Sequence, residues 1–269
     1  MRKHFITYGN DRFAEAKIRI SREAKATGEF DVVCAYGPDD VSEDVKSSEL
    51  FSSEKGGGYW CWKPDIIVRE LEKMEFGDIL VYVDAGCELV PGREWKKYWR
   101  LLEGKSLIVQ RIYQLNEKWT RRTIVEGFAD NPEGWLKKCQ FMCGVVFAKK
   151  TQDTIDFLRE WRAYMIQRPD MVADVPPENL SAESNRFIEN RHDQSILSAL
   201  VYKHMVKGFI ACLWEHAENQ SMFRSQVIRA MRNRTGAPVS WSRRMREMIL
   251  RVAKDLLRKP YYMVKTMTF

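Results

Sequence analysis

The feature that most constrains the fold is a continuous apolar run, Ile79–Val83, that leads directly into Asp84. A short run without polar alternation is typical of a strand buried on both faces, as in a parallel sheet. Comparable runs alternate with stretches of helical periodicity and lie at residues 4–9, 30–36, 106–112, 141–150 and 208–214. This alternation predicts an α/β domain with a mostly parallel central sheet.

Asp84 is expected at the carboxyl end of a central strand. Ligands collect at that edge in sheets of this kind. A buried carboxylate is costly unless another group pairs with it, so Asp84 needs a partner. A turn aspartate that bonds its own backbone is the structural alternative. The run therefore predicts either a site residue or a turn residue at position 84.

Several classes of protein are disfavoured by what the sequence lacks. No GxGxxG motif follows the first strand and no GxxxxGK[ST] motif occurs, which argues against a dinucleotide fold and a P-loop. The six cysteines form no CxxC pair, which favours free thiols in a reducing compartment. The N-terminus has no apolar signal-peptide core, and no stretch approaches the roughly 18 apolar residues of a membrane-spanning helix. We therefore expect a cytoplasmic protein.

Two short stretches place polar groups at predicted helix starts. In "GGGYWCWKPDII" (56–67), Lys63 lies beside a helix N-terminus, where an anionic ligand would use both the ammonium and the free N–H groups. The aromatic residues around it can equally belong to the core. In "RHDQSILS" (191–198), His192, Asp193 and Gln194 open a helix. Asp193 can be a simple cap, but three polar groups of different type exceed what a cap requires.

These stretches carry a family resemblance. "GYWCWKPDIIVRELEKMEFGDILVYVDAG", followed far downstream by "RHDQSILS", resembles bacterial glycosyltransferases of the GT-A type from capsule and lipopolysaccharide gene clusters. The likeness covers about residues 4–215, and a more distant one is to glycogenin-like transferases. It implies a GT-A-like, Rossmann-like domain over residues 1–220. It also implies a hexosyltransferase that moves a sugar from a nucleotide-diphosphate sugar to a saccharide or lipid-linked saccharide acceptor.

The resemblance also implies roles for individual residues. The group assigned to catalysis is His192, Asp193 and Gln194, and the donor-binding residues are Asp84, Lys63, Trp62, Tyr59, Gln140 and Gly144. The family pattern Asp-x-Asp is here Asp84-Ala85-Gly86, so the second carboxylate is missing. Glu88 and His216 are then the further candidate ligands, with Asp84, for a divalent Mn or Mg ion that would neutralise the diphosphate.

Gly86 keeps two alternatives open. If neither Glu88 nor His216 binds a metal, Lys63 or an arginine would neutralise the diphosphate instead. The chain can also be a catalytically degenerate protein that binds nucleotide-sugars or glycans without transfer.

The 113–135 segment is predicted as a long loop.

The C-terminal residues 221–269 are predicted to form a basic amphipathic helical appendage. Residues 223–269 hold twelve Lys or Arg against two acids. Apolar residues recur at helical spacing, namely Trp241, Met245, Met248, Ile249, Val252 and Leu256. This composition predicts peripheral contact with the anionic inner leaflet, unless the apolar stripe packs on the domain. The tail contains no known motif for nucleic-acid recognition, so nucleic acid is not an expected partner.

Overall fold

The structure is a computed structural model. It describes residues 1–214, 217, 226–250, 252, 253 and 256. None of the helices in these ranges is both long and apolar enough to cross a membrane.

A six-stranded mixed sheet forms the centre of the protein, in the order β2-β1-β3-β6-β5-β7. Its strands pair in parallel except at β6, which runs antiparallel to both of its neighbours. A separate two-stranded sheet joins β4 to β8. The strand bounds are β1 Lys3–Tyr8, β2 Val32–Tyr36, β3 Ile79–Val83, β4 Glu88–Leu89, β5 Leu107–Leu115, β6 Cys139–Lys149, β7 Ile210–Trp214 and β8 Ile228–Arg229. The predicted α/β class with a mostly parallel sheet is confirmed.

Helices cover both faces of this sheet. Their bounds are α1 Ala14–Thr27, α2 Glu43–Lys46, α3 Trp62–Lys73, α4 Glu94–Gly104, α5 Asn116–Trp119, α6 Arg122–Phe128, α7 Pro132–Leu136, α8 Gln152–Gln167, α9 Pro169–Val172 and α10 Asp193–His204. Short 3-10 turns lie at Asp11–Phe13, Pro38–Asp40, Pro177–Ala182 and Met205–Lys207. The prediction of a loop over 113–135 is wrong, because β5 extends into it and α5, α6 and α7 occupy most of the rest.

The core consists of two apolar layers, one on each face of the sheet. Helices α3, α8 and α10 contribute to one layer, and α1 and α4 contribute to the other. All five residues of β3 are buried between the two layers. This explains the continuous apolar run, since neither face of the strand meets water.

The topology creates a crevice beside the central strands. The chain passes from β1 to β2 on one side of β1, while β3 pairs with the other side. The connections therefore diverge between β1 and β3, and a crevice opens beyond their carboxyl ends. Asp84 follows the last residue of β3 and lies at this crevice.

Residues 226–240 form a segment that packs on the domain. Strand β8 within it pairs with β4, and the Asn233 N–H donates to the Gly86 carbonyl at 2.8 Å. A helix at 241–250 follows. The described part of the predicted appendage thus begins as a component of the main domain, directly beside the turn that carries Asp84.

Candidate functional site

A pocket of about 520 Å³ occupies the crevice. The ends of β1 and β3, the first half of β6 and the start of α10 all contribute to its wall. The pocket therefore lies at the place where the strand topology predicts a ligand.

The floor of the pocket is a buried charge cluster formed by Lys63, Asp84 and Asp193. The Lys63 ammonium lies 2.6 Å from Asp193 Oδ2 and 3.4 Å from Asp84 Oδ1. Lys63 is only 1% exposed. Burial alone would lower its pKa, but Asp193 and then Asp84 raise the pKa well above its usual range, so the lysine is charged. The partner that Asp84 requires is Lys63.

Asp84 is the member of the floor that is open to a ligand. Its side chain is 41% exposed, and Oδ1 accepts a hydrogen bond from the Tyr82 hydroxyl. Burial and the neighbouring carboxylate raise the pKa of Tyr82, which therefore remains a protonated donor. Gly144 leaves room for the other oxygen, because a Cβ at that position would lie 2.7 Å from Asp84 Oδ2. The absence of a side chain at Gly144 therefore leaves the space that the Asp84 carboxylate occupies.

Asp193 is fixed from two sides. Besides Lys63, the Cys143 thiol donates to Asp193 Oδ2 at a distance of 3.1 Å. Burial raises the pKa of Cys143 well above its usual range, so the thiol stays protonated. Sequence patterns do not reveal this role of Cys143, since a cysteine within an apolar strand resembles any small core residue.

His192 precedes Asp193 in a strained backbone conformation, with a φ of 48°. Its Nδ1 lies 2.7 Å from the Val172 carbonyl, to which it donates. The imidazole packs against the rings of Tyr59 and Trp60, at centroid distances of 4.8 and 5.6 Å. Burial lowers the pKa of His192, so the ring is neutral at physiological pH. The histidine fixes the start of α10.

The glycine-rich segment 56–60 is an ordered turn of left-handed backbone. Its five residues have φ angles of 63°, 59°, 95°, 49° and 60°. Outside glycine, the described residues with positive φ are Tyr59, Trp60, His192 and Arg232, and each lines or adjoins this pocket. Backbone strain of this kind is concentrated at functional sites.

Three other predicted donor-binding residues have different placements. Trp62 lines the pocket and stacks on Tyr8 with ring centroids 3.7 Å apart. Gln140 and Tyr59 do not line it. Gln140 is fully buried, and its carbonyl accepts from Gln194 Nε2 at 2.6 Å, so it positions Gln194. Tyr59 instead donates to Asp174 and supports His192.

The two predicted metal ligands that the structure describes, Asp84 and Glu88, do not come together at the pocket. Glu88 is 1% exposed and faces the C-terminal segment, where it binds the Val239 N–H at 2.7 Å and Arg244 at 2.7 Å. His216 lies outside the described residues. Within the described ranges, no three His, Cys, Asp or Glu side chains are grouped so that they could hold a metal ion. Asp84 already has an ammonium 3.4 Å away. The described residues therefore do not fit a divalent metal.

The mouth of the pocket, outside this floor, is basic. Its basic lining residues are Arg12, Lys55, Arg191, Arg232 and Arg234, against the two acids Glu54 and Glu189. Three buried polar atoms of lining residues have no hydrogen-bond partner in the described part of the chain, namely Asn10 Oδ1, Asn190 Oδ1 and Arg191 Nε. Such groups are costly unless a ligand or water satisfies them. The arrangement favours a polar, anionic ligand.

Comparison with known proteins gives distant likenesses to solved structures. No protein-family model matches the chain, and no curated protein matches it significantly. Solved structures similar to it include mouse xyloside xylosyltransferase 1, with 14% identity over 79% of this chain and 85% of that one, and a TM-score of 0.44. Another is the galactosyltransferase LgtC in complex with donor and acceptor sugar analogues, with 14% identity, 88% and 84% coverage, and a TM-score of 0.38.

A third is core-mannan synthase A from Aspergillus fumigatus in a Mn/GDP form, with 12% identity, 79% and 72% coverage, and a TM-score of 0.44. All three neighbours are named as enzymes that transfer or polymerise sugars. Because each TM-score is below 0.5, the function proposed below rests on the residues of the pocket.

Proposed function

We propose that the protein is a GT-A-like glycosyltransferase that moves a hexose from a nucleotide-diphosphate sugar to a saccharide or lipid-linked saccharide hydroxyl. The observation that supports this most is the Lys63–Asp84–Asp193 floor at the point where the strand connections diverge. In the reaction, the bond between the anomeric carbon and a phosphate oxygen breaks, and its electrons leave with the nucleoside diphosphate. The acceptor hydroxyl forms the new bond and releases its proton.

The pocket suggests a role for each residue of the floor. Asp84 is half exposed and accepts hydrogen bonds from ribose or sugar hydroxyls. Asp193 is held by Lys63 and Cys143 next to the pocket, where its charge stabilises positive charge that develops at the anomeric carbon. Gln194, supported by Gln140, orients the donor sugar. Lys63 holds the two carboxylates in place, because its buried ammonium is paired with both.

Purified protein incubated with a panel of UDP-, GDP- and CMP-sugars, with and without manganese, tests this proposal through the nucleotide released. Asp84→Asn and Asp193→Asn should each lower turnover at least 100-fold, while Asp130→Asn, an exposed aspartate outside the pocket, should leave it unchanged. Full activity in both site variants would refute the assignment. Thermal stabilisation by a nucleotide with no turnover on any acceptor would favour the degenerate, binding-only alternative.

The proposed setting is the synthesis of cell-surface polysaccharide, such as capsule or lipopolysaccharide, at the cytoplasmic face of the inner membrane. Its support is the family resemblance together with the C-terminal helix. Trp241, Ile249 and Leu256 are 74%, 60% and 72% exposed, and Arg243 and Arg246 are exposed on the same helical segment. An apolar stripe bordered by arginines suits an anionic lipid surface. No nucleic-acid partner is proposed.

Cosedimentation with vesicles tests this contact. The chain should bind phosphatidylserine-containing vesicles at low salt and bind phosphatidylcholine vesicles weakly, because net charge drives the attraction. Trp241→Ser with Leu256→Ser should reduce binding, whereas Val206→Ser, which alters a residue that is 87% exposed elsewhere, should not. Equal binding by all three proteins would exclude the helix as the lipid contact.

A further inference from the structure

The segment 226–240 brings two arginines to the mouth of the pocket. Arg232 and Arg234 both line it. Arg232 has a φ of 50°, so the backbone is strained at this lining residue. The Arg234 guanidinium lies 5.2 Å from the ring of Phe13, another lining residue. Both arginines come from the part of the chain that the sequence assigned to a membrane-binding tail.

A buried arginine joins this segment to the turn that carries Asp84. Arg19 is 3% exposed and donates to the Ala85 carbonyl at 3.0 Å. The same guanidinium donates to the carbonyls of Thr235 at 3.0 Å and Asn233 at 3.3 Å. These bonds tie the two turns together, so Arg232 and Arg234 are held in a defined position relative to Asp84.

Gly86 lies where the two turns meet. A Cβ at position 86 would lie 3.4 Å from Arg232 Cα, in direct contact with the segment. In this chain, the position where the resembled family has its second carboxylate therefore lies against an arginine-bearing segment.

The distribution of charge in the pocket also favours these arginines as the residues that bind a diphosphate. The floor holds two carboxylates against one ammonium and so cannot supply net positive charge to a diphosphate. The mouth can, because a guanidinium forms paired hydrogen bonds with phosphate oxygens. The described residues also do not fit a divalent metal, as shown above.

We propose that Arg232 and Arg234 form the diphosphate subsite and neutralise the charge that the resemblance assigns to a metal ion. This inference rests on the proposed function, since it assumes a nucleoside-diphosphate donor. Arg19 acts as a positioning residue because it fixes the segment without lining the pocket.

Isothermal titration calorimetry in buffer containing EDTA tests the subsite. UDP, GDP, uridine and guanosine are titrated into the full chain and into R232A/R234A. The variant should weaken binding of the preferred nucleoside diphosphate about 10- to 100-fold, which corresponds to losing one or two charge-assisted hydrogen bonds. Binding of the matching nucleoside should change less than about 3-fold, since it lacks the diphosphate.

The matched control is R243A/R246A, which removes two arginines of the C-terminal helix that do not line the pocket. It should bind the diphosphate like the native chain. Both altered pairs are exposed, and unchanged melting temperatures would show that the fold is intact. R232K/R234K should recover part of the affinity, because lysine keeps the charge and loses the paired geometry.

The outcomes separate the subsite from the proposed function. Native affinity of R232A/R234A for the diphosphate would overturn the subsite and leave the transferase proposal standing. Diphosphate binding that appears only after manganese is added would also overturn it. A native chain that binds no nucleoside diphosphate in either buffer would remove the proposed function together with the inference.

Discussion

The floor and the mouth of the pocket differ in how they hold charge. In the floor, Lys63 and Asp193 are buried, and each of the three charges has a partner within 3.4 Å. The mouth, with Arg232 and Arg234, is exposed and carries excess positive charge. Charges interact more strongly in a low-dielectric interior than at the surface. The floor therefore contributes to stability and to the orientation of side chains, whereas the mouth contributes to attraction of an anionic ligand.

The largest effect should come from breaking the floor. Lys63→Met leaves the buried Asp193 without its cation, so we expect a loss of about 3–5 kcal/mol in the free energy of unfolding. Urea denaturation measures it. Lys203→Met is the control, since Lys203 is 47% exposed and pairs with Glu160 at 2.6 Å. Such a surface pair contributes about 0–1 kcal/mol. Similar losses in both variants would show that the floor is not specially stabilising.

A smaller effect should follow from moving Asp84 without removing a charge. Gly144→Ala places a methyl group 2.7 Å from Asp84 Oδ2, so the carboxylate must rotate away. We expect donor affinity to fall about 10-fold, equivalent to about 1.4 kcal/mol. The chain should still fold because the clash involves the end of a side chain. Gly104→Ala is the control, since its Cβ would meet no atom within 4 Å. A Gly144→Ala variant that binds the donor with native affinity would argue against Asp84 as a ligand contact.

The smallest effect concerns pH and His192. Burial lowers the pKa of His192 in the folded state below the value of about 6.5 expected in the unfolded chain. Below that pH the unfolded chain binds more protons, so His192 destabilises the fold as the pH falls. His192→Gln should therefore show a shallower loss of stability between pH 7 and pH 5 in urea titrations. If the free energy of unfolding falls equally with pH in the native chain and the variant, the imidazole is not protected from protonation in the folded state.

Local patterns predicted most of the fold and the individual residues of the floor. The buried run of β3 and the start of α10 are where the sequence placed them. A continuous apolar run does not reveal, however, whether the strand is parallel or antiparallel to its neighbours. The antiparallel orientation of β6 could therefore not be predicted. Nor could spacing show that Lys63 bridges Asp84 and Asp193, which are 109 residues apart in the numbering.

Other misses have different physical causes. Glu88 was predicted as a ligand because it follows Asp84 closely, yet it belongs to β4 and faces Arg244. Arg232 and Arg234 were counted with the basic tail because composition does not distinguish a pocket arginine from a surface one. The pairing of β4 with β8 and the hydrogen bonds of Arg19 bring them to the pocket.

The ion pair between Glu88 and Arg244 sets a lower limit on how far the chain can be shortened for biochemical work. A chain that ends before Arg244 would leave a nearly inaccessible carboxylate without its cation, and loss of such a partner is strongly destabilising. A chain that ends just after Met245 would keep this pair and the two arginines of the pocket mouth. It would keep Trp241 but lack Ile249, Val252 and Leu256, so the contribution of these three residues to lipid binding could be measured with sugar transfer intact.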